Sequence, residues 1–263
     1  MGNSAQTIKT RLNLIDTLRG FSIISMIIYH TVWIMNSFGY GVSTTTLYGP
    51  LCTFWERTIC MGFILISGFS FSLGKHHVKN SAITFGVGVV ITAATCIFVP
   101  EIRIVFGVLT FLGSAGFIMI PVDKLIKSLT QSKEKQEKLI FGLLALLACV
   151  LFILFYDIRH CNIGLFGHTL LTMPDGLYHG YLMTYLGFLD KTFHSTDYFP
   201  LIPWLFLYFL GYFLEKLTRG TSLRERALTK GIPAISFLGR HSLLIYVIHP
   251  VVIFTAVYLY SIL

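Results

Sequence analysis

The chain has 263 residues, of which 54% are hydrophobic and 12% charged, with a formal net charge of +8. A soluble globule carries about 25% charged residues, so this chain has too little polar surface to cover itself in water, and a soluble fold is excluded. The lysines and arginines gather in short stretches between apolar blocks, and no aromatic-studded basic surface accompanies them, which excludes a nucleic-acid binder.

In chain order the apolar blocks run over 18–36, 52–73, 82–99, 103–122, 138–156, 199–217 and 239–261. At roughly 17–23 residues, each is long enough to cross a hydrocarbon layer about 30 Å thick. They predict an all-α integral membrane protein: a bundle of about seven transmembrane helices, in one domain over 1–263. The opening MGNSAQTIKTRLNLIDTLRG is basic ahead of an apolar stretch, yet Asp16 and Arg19 intrude and no small-x-small cleavage site follows. An uncleaved first span is expected, and the start lacks the Ser or Thr at position 6 that favours myristoylation. Segment 128–138 reads as a solvated linker. Between the fifth and sixth blocks, 157–198 holds LFGHTLLTM and GLYHGYLMTYLGFL, too short to cross and too apolar for a free loop. Short re-entrant or interfacial helices are expected there, with an eight- or nine-span count left open. His168, Asp175, His179, Asp197 and Tyr198 would line an outward-facing vestibule.

With the N-terminus in the cytoplasm, the inner segments hold Lys9, Arg11, Arg19, Lys75, Lys79, Lys124, Lys127, Lys133, Lys135, Lys138, Lys216, Arg219, Arg224, Arg226, Lys230 and Arg240. Only Arg57, Arg103, Arg159 and Lys191 fall outside. This bias sets the expected orientation. Cys52, Cys60, Cys96, Cys149 and Cys161 show neither a disulfide framework nor metal-ligand spacing. No metal is expected.

Charged and polar groups are costly inside a bilayer, so those within the blocks are candidates for function. Arg19 and His30 are eleven residues apart, which puts them on one helix face with about 20° of offset and about 16 Å of axial separation. Asp16, a turn before Arg19 on that face, would orient it. In the fourth block Arg103, Gly107, Thr110 and Ser114 make a polar, small-residue stripe, which close helix packing also explains. Glu56 and Arg57 lie near the outer end of the second block, as an ion pair or interface anchors. The last block carries GRHSLLIYVIHP, where Ser242, Tyr246 and His249 share a face, and Arg240 and His241 stand at the inner interface. Pro250 has no N–H for the Tyr246 carbonyl, so a polar group is freed at depth and a bend is expected.

The stretches LIDTLRGFSIISMIIYH, FILISGFSFSLGKH, IVFGVLTFLGS, DYFPLIPWLFLYFLGYFL and GRHSLLIYVIHP occur in an order that covers nearly the whole chain. In them the chain resembles the membrane acyltransferases related to heparan-α-glucosaminide N-acetyltransferase, within the wider acyltransferase 3-like group. The resemblance implies transfer of an acetyl group from cytoplasmic acetyl-CoA, the donor substrate, to a hydroxyl or amine of a glycan or amino sugar on the outer side. It implies that Asp16, Arg19, Arg103, Thr110, Arg240 and His241 serve the CoA. His30 would be general base or transient acetyl carrier, with His249 and Tyr246 orienting it or stabilising the oxyanion. A residue from 157–198 is the alternative base. A transporter or flippase without covalent chemistry is the competing reading. The expected partners are the lipid bilayer and possible further copies of the chain. The expected location is a bacterial plasma membrane.

Overall fold

The computed structural model describes residues 11–41, 43–130, 136–165 and 168–263. Lys9, Lys133, Lys135, the Met-Gly start and positions 166–167 of LFGHTLLTM lie outside the described residues. The helices are α1 (Asn13–Ser37), α2 (Thr44–Leu47), α3 (Pro50–Phe71), α4 (His77–Phe98), α5 (Val108–Thr130), α6 (Glu137–Leu154), α7 (Tyr181–Leu186), α8 (Leu201–Thr218), α9 (Ser222–Arg226), α10 (Pro233–Arg240) and α11 (Ser242–Ser261). Two strands, β1 (Asn162–Leu165) and β2 (His168–Thr172), form an antiparallel hairpin.

Among the described residues, seven helices are long and apolar enough to cross a membrane, and none of them lies within 161–198. Their surfaces agree with that length. In α11, Ile248, Val251, Val252 and Phe254 are all exposed, and only 6% of its apolar window is buried inside the protein. Apolar faces this extensive require lipid rather than water as solvent.

Several boundaries differ from the hydropathy blocks. The third span starts at His77 rather than 82. The fourth starts at Val108 rather than 103 and continues to Thr130. The last block, 239–261, takes in the final two residues of α10, which opens at Pro233, and then α11, because His241, at φ −101° and ψ 18°, leaves helical geometry. Apolar length marks where hydrocarbon is crossed, whereas helix ends are set by caps and backbone geometry, and the two need not coincide. In 157–198 the described residues of LFGHTLLTM are not helical as expected: Leu165 ends β1 and His168–Thr172 forms β2, which is exposed throughout. The second apolar stretch does contain a short helix, α7.

The chain divides into two compact units: residues through Phe63 with Thr218–Leu263, and Ile64–Leu217. In the first unit α1 packs against α10 and α11. A Cβ on Gly20 would overlap the Ile235 carbonyl, and one on Gly239 would overlap the Asp16 carbonyl. Helix backbones can approach this closely only through such small residues. Polar bonds knit the same crossing: Thr17 Oγ1 and Ser236 Oγ are 2.7 Å apart, Ile232 N–H donates to Thr17 Oγ1 at 3.0 Å, and Leu14 N–H donates to Leu228 O at 3.1 Å.

In the second unit α4 and α5 pack through Gly88, 2.6 Å by its notional Cβ from Thr110 N, and Gly113, 2.5 Å from Phe85. Gly68 and Gly211 similarly bring α3 and α8 together, against the carbonyls of Tyr208 and Leu65. Ile64, Phe111, Ala115, Met119 and Tyr212 are among its most buried side chains.

Candidate active site

In the first unit, α1 and α11 bring two imidazoles into contact. His30 Nδ1 lies 2.7 Å from His249 Nε2, and the rings stack with centroids 4.9 Å apart and planes 22° from parallel. The other ring nitrogen of His249, Nδ1, is 3.1 Å from the Ile245 carbonyl on the preceding turn. The Tyr246 carbonyl, which Pro250 cannot serve, also bonds to His249.

These contacts assign the tautomers of the neutral pair. A carbonyl only accepts, so His249 Nδ1 carries the hydrogen, and its Nε2 is then an acceptor. His30 must therefore donate from Nδ1, and its Nε2 is left with a lone pair. Among the described residues no hydrogen bond is made to that nitrogen. His249 is buried and His30 half-buried. Around them Tyr29 meets Trp55 edge-on at 5.5 Å, and Trp55 Nε1 donates to Ser25 Oγ at 2.7 Å. Tyr246 sits edge-on to His249 at 5.8 Å. Arrangements of this kind can accept a proton at one fixed nitrogen and delocalise the resulting charge to a second ring.

Towards the start of α1, Asp16 takes Arg19 Nη1 at 3.4 Å and Arg11 Nε at 2.7 Å. The Asp16 carboxylate is buried, and the Arg19 side chain is 18% exposed. Arg240 Nε donates to Ser236 O at 3.2 Å, and the His241 ring bonds to Phe237 O at 2.9 Å. Both Arg240 and His241 are exposed.

Arg103 and Thr110 belong to the second unit. Arg103 is not part of a helical stripe, because α5 begins five residues later. Its Nε donates to His194 O at 3.0 Å, and Phe106 between them has a left-handed φ of 58°. Thr110 Oγ1 donates to Gly107 O at 2.7 Å, and Ser114 Oγ is bonded to the Tyr185 hydroxyl. Asp197 serves the fold: its Oδ2 accepts the Val108 N–H at 3.2 Å and so caps α5 from a distant loop. Tyr198 donates to Thr184 O at 2.6 Å, and burial raises its pKa. His168 and His179 are exposed, and Asp175 lies 3.9 Å from Lys191. Nearby, the Asp190 carboxyl is held down to about 2 by the N–H of Gly180, then by the N–H and hydroxyl of Thr192.

Two polar clusters were not singled out by sequence. The Asn13–Thr17–Ser236 cluster gives no signal in one chain, since its partners are more than 200 residues apart. Asp123, at one end of a hydropathy block, and Lys216, assigned to an inner segment, are both buried and 3.5 Å apart. The Tyr212 hydroxyl donates to Asp123 at 2.5 Å, and Lys127 Nζ at 2.6 Å. Among the described residues no group of three or more His, Cys, Asp or Glu is arranged to hold a metal ion.

Fold and site together define a polytopic α-helical membrane protein with a histidine pair inside its first and last spans. Residues 11–133 and 124–251 match the family described as heparan-alpha-glucosaminide N-acetyltransferase, catalytic, and the chain belongs to that family of membrane acetyltransferases. No curated protein and no solved structure matches the chain.

Proposed function

We propose that the chain works as a single transmembrane acyltransferase domain, moving an acetyl group from cytoplasmic acetyl-CoA to a hydroxyl or amine of a glycan or amino sugar at the outer face of a plasma membrane. The observation that carries this reading is the His30–His249 contact with its carbonyl-fixed tautomer. His30 Nε2 takes the proton of the acceptor O–H or N–H as the acceptor attacks the thioester carbonyl. The new C–O or C–N bond forms, the C–S bond breaks, and the proton held on His30 passes to the leaving thiolate. While His30 is an imidazolium, its Nδ1–H donates a charge-assisted hydrogen bond to His249, which lowers the cost of that charge away from water. Transfer through an acetyl-His30 intermediate uses the same nitrogen as nucleophile.

Arg19, oriented by Asp16, supplies a guanidinium suited to a phosphate or pyrophosphate, and Arg11 and Arg240 add positive charge in the same unit. The distribution of Lys and Arg along the chain supports a cytoplasmic N-terminus, which puts these groups on the side of the donor.

The test is calorimetry of acetyl-CoA binding together with single-turnover transfer by purified protein. His30→Ala is expected to keep donor affinity within about twofold and lose transfer by at least about 100-fold, the scale of a lost general base. Arg19→Ala is expected to weaken donor binding several-fold. Native protein that binds no CoA would remove the enzyme reading, and full activity in His30→Ala would move the chemistry to another residue.

A further inference from the structure

In the first unit, the first half of α3 lies against α1 beside the histidine pair. Trp55 Nε1 donates to Ser25 Oγ at 2.7 Å, and the Tyr29 ring meets Trp55 edge-on at 5.5 Å. An indole that merely anchored the chain at the membrane surface would turn its N–H to the headgroups, whereas this one gives it to α1. The Tyr29 ring is also 6.1 Å from the His30 ring.

This packing turns one face of α3 towards the Tyr29 hydroxyl. Cys52, Glu56 and Cys60 are spaced four apart, so each lies about 40° round the helix from the last. All three act electrostatically on that hydroxyl, Glu56 the most, and Tyr48 joins them from the end of α2. Glu56 and Tyr29 are both half-buried, and among the described residues neither side chain makes a hydrogen bond or an ion pair. The ion pair expected between Glu56 and Arg57 is not formed, because successive residues of a helix do not face each other. A carboxylate inside a spanning segment is costly, and it persists where something supplies the opposite charge or the missing donors. Here no described residue does.

Resting on the acyl-transfer reading above, we propose that Glu56 selects the acceptor, its carboxylate pairing with the ammonium of an amino sugar while the Tyr29 hydroxyl bonds to a neighbouring hydroxyl of the same ring. Both stand beside His30, whose Nε2 keeps its lone pair for the acceptor, and every residue involved belongs to the first unit. A neutral sugar could bond to the same two groups but would leave the carboxylate's charge uncompensated, so charge sets the preference. When the held nitrogen is itself the nucleophile, its surplus proton passes to the Glu56 carboxylate before His30 takes the second. Away from water that first transfer turns an ion pair into two neutral partners, which lowers its cost. Glu56 then releases its proton to solution, so each turnover leaves the carboxylate as it began.

The probes are methyl α-D-glucosaminide and its neutral counterpart methyl α-D-glucoside, bound to the full chain in detergent at a pH that keeps the amine protonated. Sugar affinities are read by saturation-transfer NMR, and acetyl-CoA binding by calorimetry in parallel. Native protein is expected to bind the glucosaminide about tenfold more tightly than the glucoside. Glu56→Gln should bring the two sugars to within about twofold of each other, and Tyr29→Phe should weaken both about threefold. Donor affinity is expected to stay within about twofold of native in each variant, which reports that they are folded. A preference that survives in Glu56→Gln, or is absent from native protein that binds acetyl-CoA, overturns the proposal and leaves the acyl-transfer reading standing. Loss of donor binding together with sugar binding in Glu56→Gln shows a carboxylate needed by the fold and overturns it too. Native protein that binds no acetyl-CoA removes the acyl-transfer reading, and the acceptor site falls with it.

Discussion

At Asp123 a single carboxylate accepts from the Tyr212 hydroxyl and from the ammonium groups of Lys127 and Lys216. Lys127 is largely exposed, so that contact is worth little, but the Lys216 side chain is only 4% exposed. The Lys216 ammonium also lies 4.7 Å from the centre of the Tyr212 ring. Removing one partner of a buried pair leaves the other charge without its main compensation. Asp123→Ala is therefore expected to cost on the order of 3 kcal/mol, read as a lower thermal midpoint in detergent, with Lys127→Ala close to neutral. The histidine pair shows the same dependence on a partner. His30 alone is an imidazole with two equivalent options, and His249 with its backbone carbonyl leaves it only one.

Between elements, close backbone approach is what holds each unit together. At the crossing of α1 and α10 a methyl group on Gly239 would have to enter the space of the Asp16 carbonyl, which cannot yield without moving the helix that carries Arg19. Gly239→Ala is expected to destabilise by about 1–3 kcal/mol and to weaken donor binding with it. Gly142→Ala in α6, where nothing lies within 4 Å, is the control. It should be neutral or stabilise by roughly 0.5–1 kcal/mol, because alanine loses less backbone entropy in a helix. Helix ends are decided at this scale too. Hydropathy places the fourth span from residue 103, but the helix waits for Val108, whose N–H is capped by Asp197, nearly ninety residues on. Arg103 therefore belongs to a loop bonded to His194 and not to a stripe with Thr110.

Over the whole molecule, charge is sorted along the chain: four of the twenty lysines and arginines, Arg57, Arg103, Arg159 and Lys191, fall in the segments assigned to the outer side. If the N-terminus is cytoplasmic, an impermeant maleimide applied to intact cells should label Lys191→Cys in a cysteine-free background. Lys79→Cys should react only after the membrane is opened. The opposite pattern would invert the topology and place the arginines proposed to bind the donor on the wrong side for a cytoplasmic thioester.

The membrane class and about seven of the spans were determined by sequence alone, because crossing about 30 Å of hydrocarbon needs a run of apolar residues that no other architecture needs. So was the family, since its motifs lie in order along nearly the whole chain. An eighth or ninth span over 157–198 stayed open until the structure showed no further spanning helix among its described residues. The candidates Arg19, His30 and His249 were legible for a related reason: a polar side chain at depth is conspicuous by its cost. Only the tertiary structure decided that His30 and His249, 219 residues apart, touch through specific nitrogens. It alone showed that His168–Thr172 pairs as a strand with Asn162–Leu165 and that aromatic rings from distant segments meet in one corner. Local sequence reports how each residue suits its solvent, whereas which residues become neighbours follows from packing between segments far apart in the chain.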